Sequence, residues 1–197
     1  MKKRIISLLL ALSMMISLVP VSARAETGGG TTPLAAGVSV GHGLSIGENG
    51  TPTADSTSDG TWEYTLDPSD NLYYLTLKSG IWDFSNDPEI RCNVDINQGA
   101  VLKDGTINAT VKNYGTIEGG KIRLCNNYGT IVNGTFDNPN GMYCIWNYNL
   151  ISGGVFEQGI QACAGNGMAS KITDGTFKGG FYTSGSGEGT TVEGGTF

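Results

Sequence analysis

The stretch NYGTIEGGKIRLCNNYGTIVNGTF, residues 113–136, contains nearly the same segment twice. The pentapeptide Asn-Tyr-Gly-Thr-Ile occurs at 113–117 and again at 127–131, and each copy continues to a Gly, one variable residue and an apolar residue. A chain that repeats itself at a short period builds one structural unit several times and stacks the copies. The fold is therefore expected to be built from copies of this repeat.

The same pattern extends well beyond the doubled stretch. The motif apolar-x-x-Gly-x-apolar occurs at 102–107, 117–122, 131–136, 151–156, 172–177 and 192–197. Its fourth position is always glycine, and the first two intervals between successive glycines are shorter than the three that follow. These structural glycines are Gly105, Gly120, Gly134, Gly154, Gly175 and Gly195.

The spacing within the motif predicts a corner. Its two apolar anchors lie five residues apart, so on one straight strand they would face opposite sides. A glycine between them can adopt positive φ and turn the chain, so that both anchors face inward. We therefore predict an all-β fold, a parallel β-helix (β-solenoid) with coils of about 20 residues, preceded by a short β-hairpin region.

The chain divides into four predicted regions. Residues 1–25 combine a basic start, an apolar stretch and the small-residue site Ala23-Arg24-Ala25, which is typical of a cleaved export signal. Within the capping region, alternating residues at 37–50 and a turn at 67–71 predict hairpins. The regions are a signal peptide (1–25), a flexible leader (26–33), a β capping region (34–82) and a β-helix repeat region (83–197). The last coil ends on its motif without a polar cap, which predicts an incomplete C-terminal end open to further domains or self-association.

Charge excludes some partners. Residues 1–25 hold four of the 12 basic residues and none of the 18 acidic ones, so residues 26–197 carry a net charge near −10. We therefore expect no nucleic-acid binding. Because no second apolar run of spanning length follows residue 25, we also expect no membrane insertion after signal cleavage. A polyanionic glycan would need a local basic patch.

The block TWEYTLDPSDNLYYLTLKSG (61–80), followed by Gly-Thr-Ile and Gly-Gly-x-Phe repeats, resembles a group of secreted or cell-surface proteins of Gram-positive gut anaerobes. That resemblance covers about residues 36–197, and it implies a β-helix that is uncharacterised, carbohydrate-binding or adhesin-like. Members of the group often continue much further and end in a wall anchor, whereas this chain stops at Phe197.

Cysteines and asparagines recur at nearly coil spacing. Cys125, Cys144 and Cys163 are evenly spaced in the sequence at close to one coil, which allows either a disulfide between stacked coils or a ladder of buried thiols. The anaerobic source implied by the resemblance favours reduced thiols. Asn113, Asn127 and Asn147 hold equivalent positions and predict a hydrogen-bonded ladder at a second corner.

Tyrosines form the candidate binding site. Tyr114, Tyr128 and Tyr148 each follow one of those asparagines, and Trp146 precedes the last one. Buried, such a row would only pack a wall; exposed, it would offer rings and phenolic groups to sugars. The pair Phe181-Tyr182 adds aromatic residues without indicating a geometry.

Catalysis has weaker support. Polysaccharide lyases and hydrolases need clustered carboxylates with a basic partner, whereas Asp104, Glu118, Asp174 and Glu193 vary in position from copy to copy. There is no Cys-x-x-Cys pair and only one histidine, so we expect no metal and no cofactor. The sequence thus favours a secreted, non-enzymatic module that binds polysaccharide or host glycan. The alternatives are a β-helix polysaccharide lyase or hydrolase and a purely structural spacer.

Overall fold

The computed structural model of the protein describes residues 38–164, 167–184 and 189–197. These residues form twenty β-strands and no helix, so this part of the chain has no helical segment with the length and apolarity to span a bilayer. The predicted signal peptide and leader, residues 1–33, lie outside the described residues, as do the first residues of the predicted capping region.

Two hairpins open the described chain, as the turn signals predicted. Strands β1 (Val38–Gly41) and β2 (Leu44–Ile46) pair antiparallel, and His42 takes a positive φ of 51° in the turn between them. Strands β3 (Trp62–Asp67) and β4 (Leu72–Leu77) pair antiparallel in the same way. Their connection contains Asn71 with a φ of 58°, a left-handed conformation that asparagine tolerates well.

The remaining strands wind into a parallel β-solenoid of about six turns, roughly 19 residues apart. Each turn contributes to three stacked faces. Face 1 contains β4, β6 (Asn93–Ile96), the C-terminal parts of β8 (Thr106–Asn113) and β10 (Lys121–Asn127), β13 (Tyr143–Asn147), β16 (Gly159–Cys163) and β19 (Phe181–Ser184). Face 2 contains β5 (Gly80–Asp83), β7 (Ala100–Asp104), β9 (Thr116–Ile117), β11 (Thr130–Ile131), β14 (Leu150–Ile151), β17 (Lys171–Ile172) and β20 (Thr191–Val192). Face 3 contains the N-terminal parts of β8 and β10, then β12 (Thr135–Phe136), β15 (Val155–Phe156) and β18 (Thr176–Phe177).

The stack begins earlier than the boundary predicted at residue 82. Strand β4 already pairs in parallel with β6, and β5 pairs in parallel with β7. The capping region therefore supplies strands to the first turn of the solenoid. The segment LKSGIW at 77–82 fits the repeat motif only loosely, so the boundary was predicted after it.

The corner between faces 2 and 3 is made by the motif glycine, as predicted. All six motif glycines have positive φ, between 95° and 140°. At Gly120, with φ 95°, an added Cβ would come within 2.7 Å of the carbonyl oxygen of Gly105 in the preceding turn. Both the conformation and this close approach exclude a side chain. The anchors on either side, Ile117 and Ile122, are fully buried.

Inward-facing anchors stack into continuous columns that fill the core. Ile117, Ile131, Ile151 and Ile172 pair in register along face 2. Along face 3, Phe136, Phe156 and Phe177 stack with ring centroids 5.0 Å apart at each step. Burying one such phenylalanine stabilises the fold by about 1.5–3 kcal/mol relative to leaving it exposed.

Turns of different length change the outline of the solenoid. In the two short turns, which lie between Gly105 and Gly134, β8 and β10 run without a break from face 3 into face 1. In the next turn, residues 137–142 form a loop between β12 and β13. The loop stands beside the two short turns and gives that side of the solenoid a groove.

Candidate functional site

The second corner, between faces 1 and 2, positions the tyrosines. Asn113, Asn127 and Asn147 are completely buried there. The Nδ2 of Asn113 donates to Oδ1 of Asn127 at 2.8 Å, and the Nδ2 of Asn127 donates to Oδ1 of Asn147 at 2.7 Å. Asn147 in turn donates to the hydroxyl of Ser170 at 2.7 Å. The predicted asparagine ladder is therefore present, and it fixes the backbone just before each tyrosine.

The three tyrosines form one column on the outside of this corner. Ring centroids are 5.0 Å apart between Tyr114 and Tyr128 and 4.5 Å apart between Tyr128 and Tyr148, with planes within 11° of parallel. Tyr114 is 46 % exposed, and the other two are half-buried. The column therefore lies at the surface and not in the wall of the core.

The ring geometry limits what the column offers a ligand. Parallel rings with centroids only 4.5–5.0 Å apart overlap face to face with an offset. Each ring therefore covers much of its neighbour, and a sugar cannot stack flat on all three faces. Tyr114 is the first and most exposed ring of the column, whereas the column as a whole presents ring edges and phenolic hydroxyls.

The two end rings of the column keep their phenolic protons at physiological pH. Burial raises the pKa of Tyr114 and of Tyr148 above the ordinary value for tyrosine. The thiol of Cys163, which follows Tyr148 at the same corner in the next turn, raises the pKa of Tyr148 further. A neutral phenol can both donate and accept a hydrogen bond, as recognition of sugar hydroxyls requires.

Trp146 lies apart from the tyrosine column. Its side chain is on the outer side of face 1, in register with Asn126 of the preceding turn and Gln161 of the next. The ring centroid of Tyr143 lies 5.9 Å from that of Trp146 and 5.1 Å from that of Tyr182, and the rings of both pairs meet edge to face. We call Tyr143, Trp146 and Tyr182 the aromatic cluster. The four residues predicted as one binding site thus belong to two neighbouring aromatic surfaces.

Two glycines make room for Tyr182, the most exposed ring of the aromatic cluster. An added Cβ at Gly180 would lie 2.7–2.9 Å from the outer atoms of the Tyr182 ring, and one at Gly159 would lie 3.0 Å from its Cε2. The ring therefore rests on bare backbone and is 43 % exposed. Sequence reasoning noted Tyr182 without placing it and missed Tyr143; the Gly-Gly pair before Phe181 was the available signal.

The cysteine prediction needs a correction. All four cysteines are free and buried, but Cys125, Cys144 and Cys163 do not form a ladder in register. Cys125 pairs with Ile145, and Cys163 pairs with Ser184. An irregularity between Tyr143 and Ile145 shifts the register at Cys144, so equal spacing in sequence does not give equal positions in the turns.

A cluster of polar groups that the sequence did not indicate lies near the start of face 1. Asp95 and Lys112 are in register on β6 and β8. The Lys112 ammonium lies 4.4 Å from the centre of the Tyr74 ring, and the Tyr74 hydroxyl donates to Asp70 at 2.6 Å. Burial raises the pKa of the Asp95 carboxyl, and its Oδ1 has no hydrogen-bond partner among the described residues.

Comparisons with protein-family models, with curated proteins and with solved structures find no match for this chain. The described residues also contain no group of three or more His, Cys, Asp or Glu side chains arranged to hold a metal ion. The protein belongs to the class of parallel β-solenoids, and it carries exposed aromatic side chains on its outer surface.

Proposed function

We propose that the protein is a secreted, non-catalytic β-solenoid that binds glycans or acts as an adhesive module at a surface. One observation carries this proposal: the tyrosine column and the aromatic cluster lie outside the core on neighbouring parts of one rigid scaffold. The inward columns already fill the core without them. Exposed aromatic rings with polar tips are suited to a ligand that has both apolar faces and hydroxyl groups, as a sugar has.

Secretion is supported by the export-signal pattern at residues 1–25. Glycan recognition, rather than binding of an apolar ligand, is supported by the tyrosine column, because each of its rings carries a hydroxyl that can both donate and accept a hydrogen bond. The asparagine ladder holds this row in place before any ligand arrives, which lowers the entropy cost of binding.

Retention on immobilised glycans tests the proposal. The purified protein would be run over beads carrying pectin, other plant glycans and mucin, and the eluate would be assayed for released sugar. We expect retention without release, and a loss of retention of about tenfold or more in the variant Tyr114→Ala/Tyr128→Ala/Tyr148→Ala.

Ile81→Ala provides the matched control. Ile81 is an apolar residue of β5 on face 2 that is 64 % exposed and belongs to neither aromatic surface. This variant is expected to bind like the unmodified protein. Full retention in the triple variant would contradict the assignment of the site, and retention on none of the glycans would favour the structural spacer.

The enzyme alternative has one specific observation behind it. Asp95, with its raised pKa, lies in register with Lys112 and near Tyr74, so a proton donor and a cation occur together. A lyase or hydrolase that uses this cluster would depend on the Asp95 carboxyl. Sugar release from any bead, abolished by Asp95→Asn, would overturn the non-catalytic proposal.

A further inference from the structure

Both arginines of residues 26–197 line one groove on the solenoid. The groove has a volume of about 400 Å³, and Arg91 and Arg123 face it together with polar side chains. The other polar lining residues are Asn93, Asn108, Thr110, Asn138 and Asn140. No carboxylate lines it, in a chain with 18 acidic residues. The groove is therefore a local basic site on an acidic protein.

The fold sets the distance between the two arginines. Ile90 bridges to Ile107, and Ile107 pairs with Ile122, so the residues that follow them lie on three successive turns. Those residues are Arg91, Asn108 and Arg123. At about 4.8 Å per turn, the two arginine backbones are about 10 Å apart along the solenoid axis, with an amide side chain between them.

Two irregularities shape the groove. Strand β8 carries an extra residue opposite β10 between Ile107 and Thr110, which is a β-bulge beside Arg123. The loop at 137–142, which the two short turns lack, supplies Asn138 and Asn140 to one wall. The side chain of Asn138 donates to the carbonyl of Tyr143 at 2.8 Å and so anchors that wall.

The nearby carboxylates leave the groove with positive charge. Glu89 is paired with Arg91 at 3.0 Å, and Asp137 is paired with Lys121 at 3.6 Å. Both acids lie in a smaller adjoining cavity of about 200 Å³, which Arg123 also lines. Arg123 is exposed and forms no ion pair within the described residues.

We propose that this groove binds the carboxylate groups of an acidic glycan, with Arg123 as the main contact and Arg91 as the second. This inference rests on the proposed function and names its ligand class: a uronate-containing polysaccharide. A guanidinium group offers paired N–H donors that match a carboxylate. The exposed amides of Asn108 and Asn140 offer both donors and acceptors to the neighbouring hydroxyls, and the spacing lets one extended chain meet both arginines.

Binding to two forms of one polymer tests the proposal. The probes are polygalacturonate and the same polymer fully methyl-esterified, which keeps the sugar rings and removes the charge. We expect polygalacturonate to bind about tenfold tighter, and Arg123→Gln to remove that preference. The preference should also weaken as salt is raised.

Lys171→Gln is the matched control. It removes the same charge from face 2, where Lys171 is paired with Glu193 at 2.9 Å, and it should leave the preference intact. Arg91→Gln should reduce the preference as well, although it also frees Glu89. Circular dichroism of each variant would show that the fold is retained.

The outcomes separate this inference from the proposed function. Equal binding of the two polymers, or a preference that survives Arg123→Gln, would overturn the groove assignment while glycan binding stands. Binding to no glycan at all would overturn the proposed function and this inference with it.

Discussion

Two columns of aromatic rings run along the solenoid, one inside and one outside. Phe156 lies between Phe136 and Phe177 with centroids 5.0 Å apart and planes within 9° of parallel. Tyr128 lies between Tyr114 and Tyr148 with nearly the same distances and angles. The phenylalanines are buried, whereas the tyrosines are exposed or half-buried.

This comparison shows that ring stacking here follows from the architecture. Parallel strands stack about 4.8 Å apart, so identical residues in register meet at that distance on either side of the sheet. The stacking of the tyrosines is therefore no sign of function by itself. What distinguishes their column is solvent exposure and the hydroxyl group, and an experiment should address those two properties.

The largest expected effect is at the centre of the inner column. Phe156→Ala removes a fully buried ring that contacts a ring on each side. We expect a loss of about 4 kcal/mol in the free energy of unfolding, because the turns above and below cannot close the cavity. Urea denaturation would measure it, and a loss under about 1 kcal/mol would mean that the column does not support the core.

The second largest effect is expected in the asparagine ladder, which lies between the core and the tyrosine column. Asn127→Ala removes donors to Oδ1 of Asn147 at 2.7 Å and to the carbonyl of Leu150 at 3.1 Å, and it removes the acceptor of Asn113. Leaving such buried groups unsatisfied should cost about 2–3 kcal/mol. Because the ladder also positions the tyrosine column, glycan retention should fall with stability.

Its control is the neighbouring residue on the outer side of the same strand. Asn126→Ala should change stability by about 0.5 kcal/mol or less. If Asn126→Ala and Asn127→Ala had the same free energy of unfolding, the hydrogen bonds of the buried ladder would add no net stability.

Most of this architecture could be predicted from the sequence because one local rule generates it. A glycine with positive φ between two apolar anchors makes the same corner in every turn, and Ile131 and Phe136 are buried as that rule requires. The asparagine ladder was predictable for the same reason, because Asn113 and Asn127 occur at the same place in repeated pentapeptides.

Features that depend on exact turn length could not be predicted in this way. Cys125, Cys144 and Cys163 are equally spaced in the sequence. The partner of Cys125 in the next turn is nevertheless Ile145 and not Cys144, because the loop before β13 lengthens that turn. The pairing of Asp95 with Lys112 likewise needs the register between β6 and β8. The groove with both arginines exists only because a loop follows two short turns.

A smaller effect separates the ring of Tyr128 from its hydroxyl. Tyr128→Ala should lower the free energy of unfolding by about 1 kcal/mol, because it interrupts an outer stack and leaves no buried cavity. Tyr128→Phe keeps the stack and should leave stability unchanged within about 0.5 kcal/mol. If the phenolic groups contact the ligand, Tyr128→Phe should still weaken glycan retention, whereas full retention would assign binding to the ring edges.

The smallest effect is the response of the outer column to alkali, which the inner column lacks because phenylalanine does not ionise. Burial, and then the neighbouring Cys163 thiol, raise the pKa of Tyr148 in the folded protein, whereas an unfolded tyrosine ionises near pH 10. The stability that this shift contributes is complete below about pH 10 and is lost as the pH rises further, because the unfolded chain then releases a proton that the folded one retains. The free energy of unfolding should fall with pH by well under the limit of about 1.4 kcal/mol per pH unit for one group, since the ring is partly solvated. Urea unfolding of the unmodified protein and of Tyr148→Phe between pH 8 and about 11.5 would measure this contribution as the difference between their free energies of unfolding. The buried Cys144 thiol, whose pKa burial raises to about 12, contributes similarly in both proteins and therefore cancels. Identical pH profiles for the two proteins would mean that solvent reaches the Tyr148 hydroxyl as freely in the stack as in the unfolded chain.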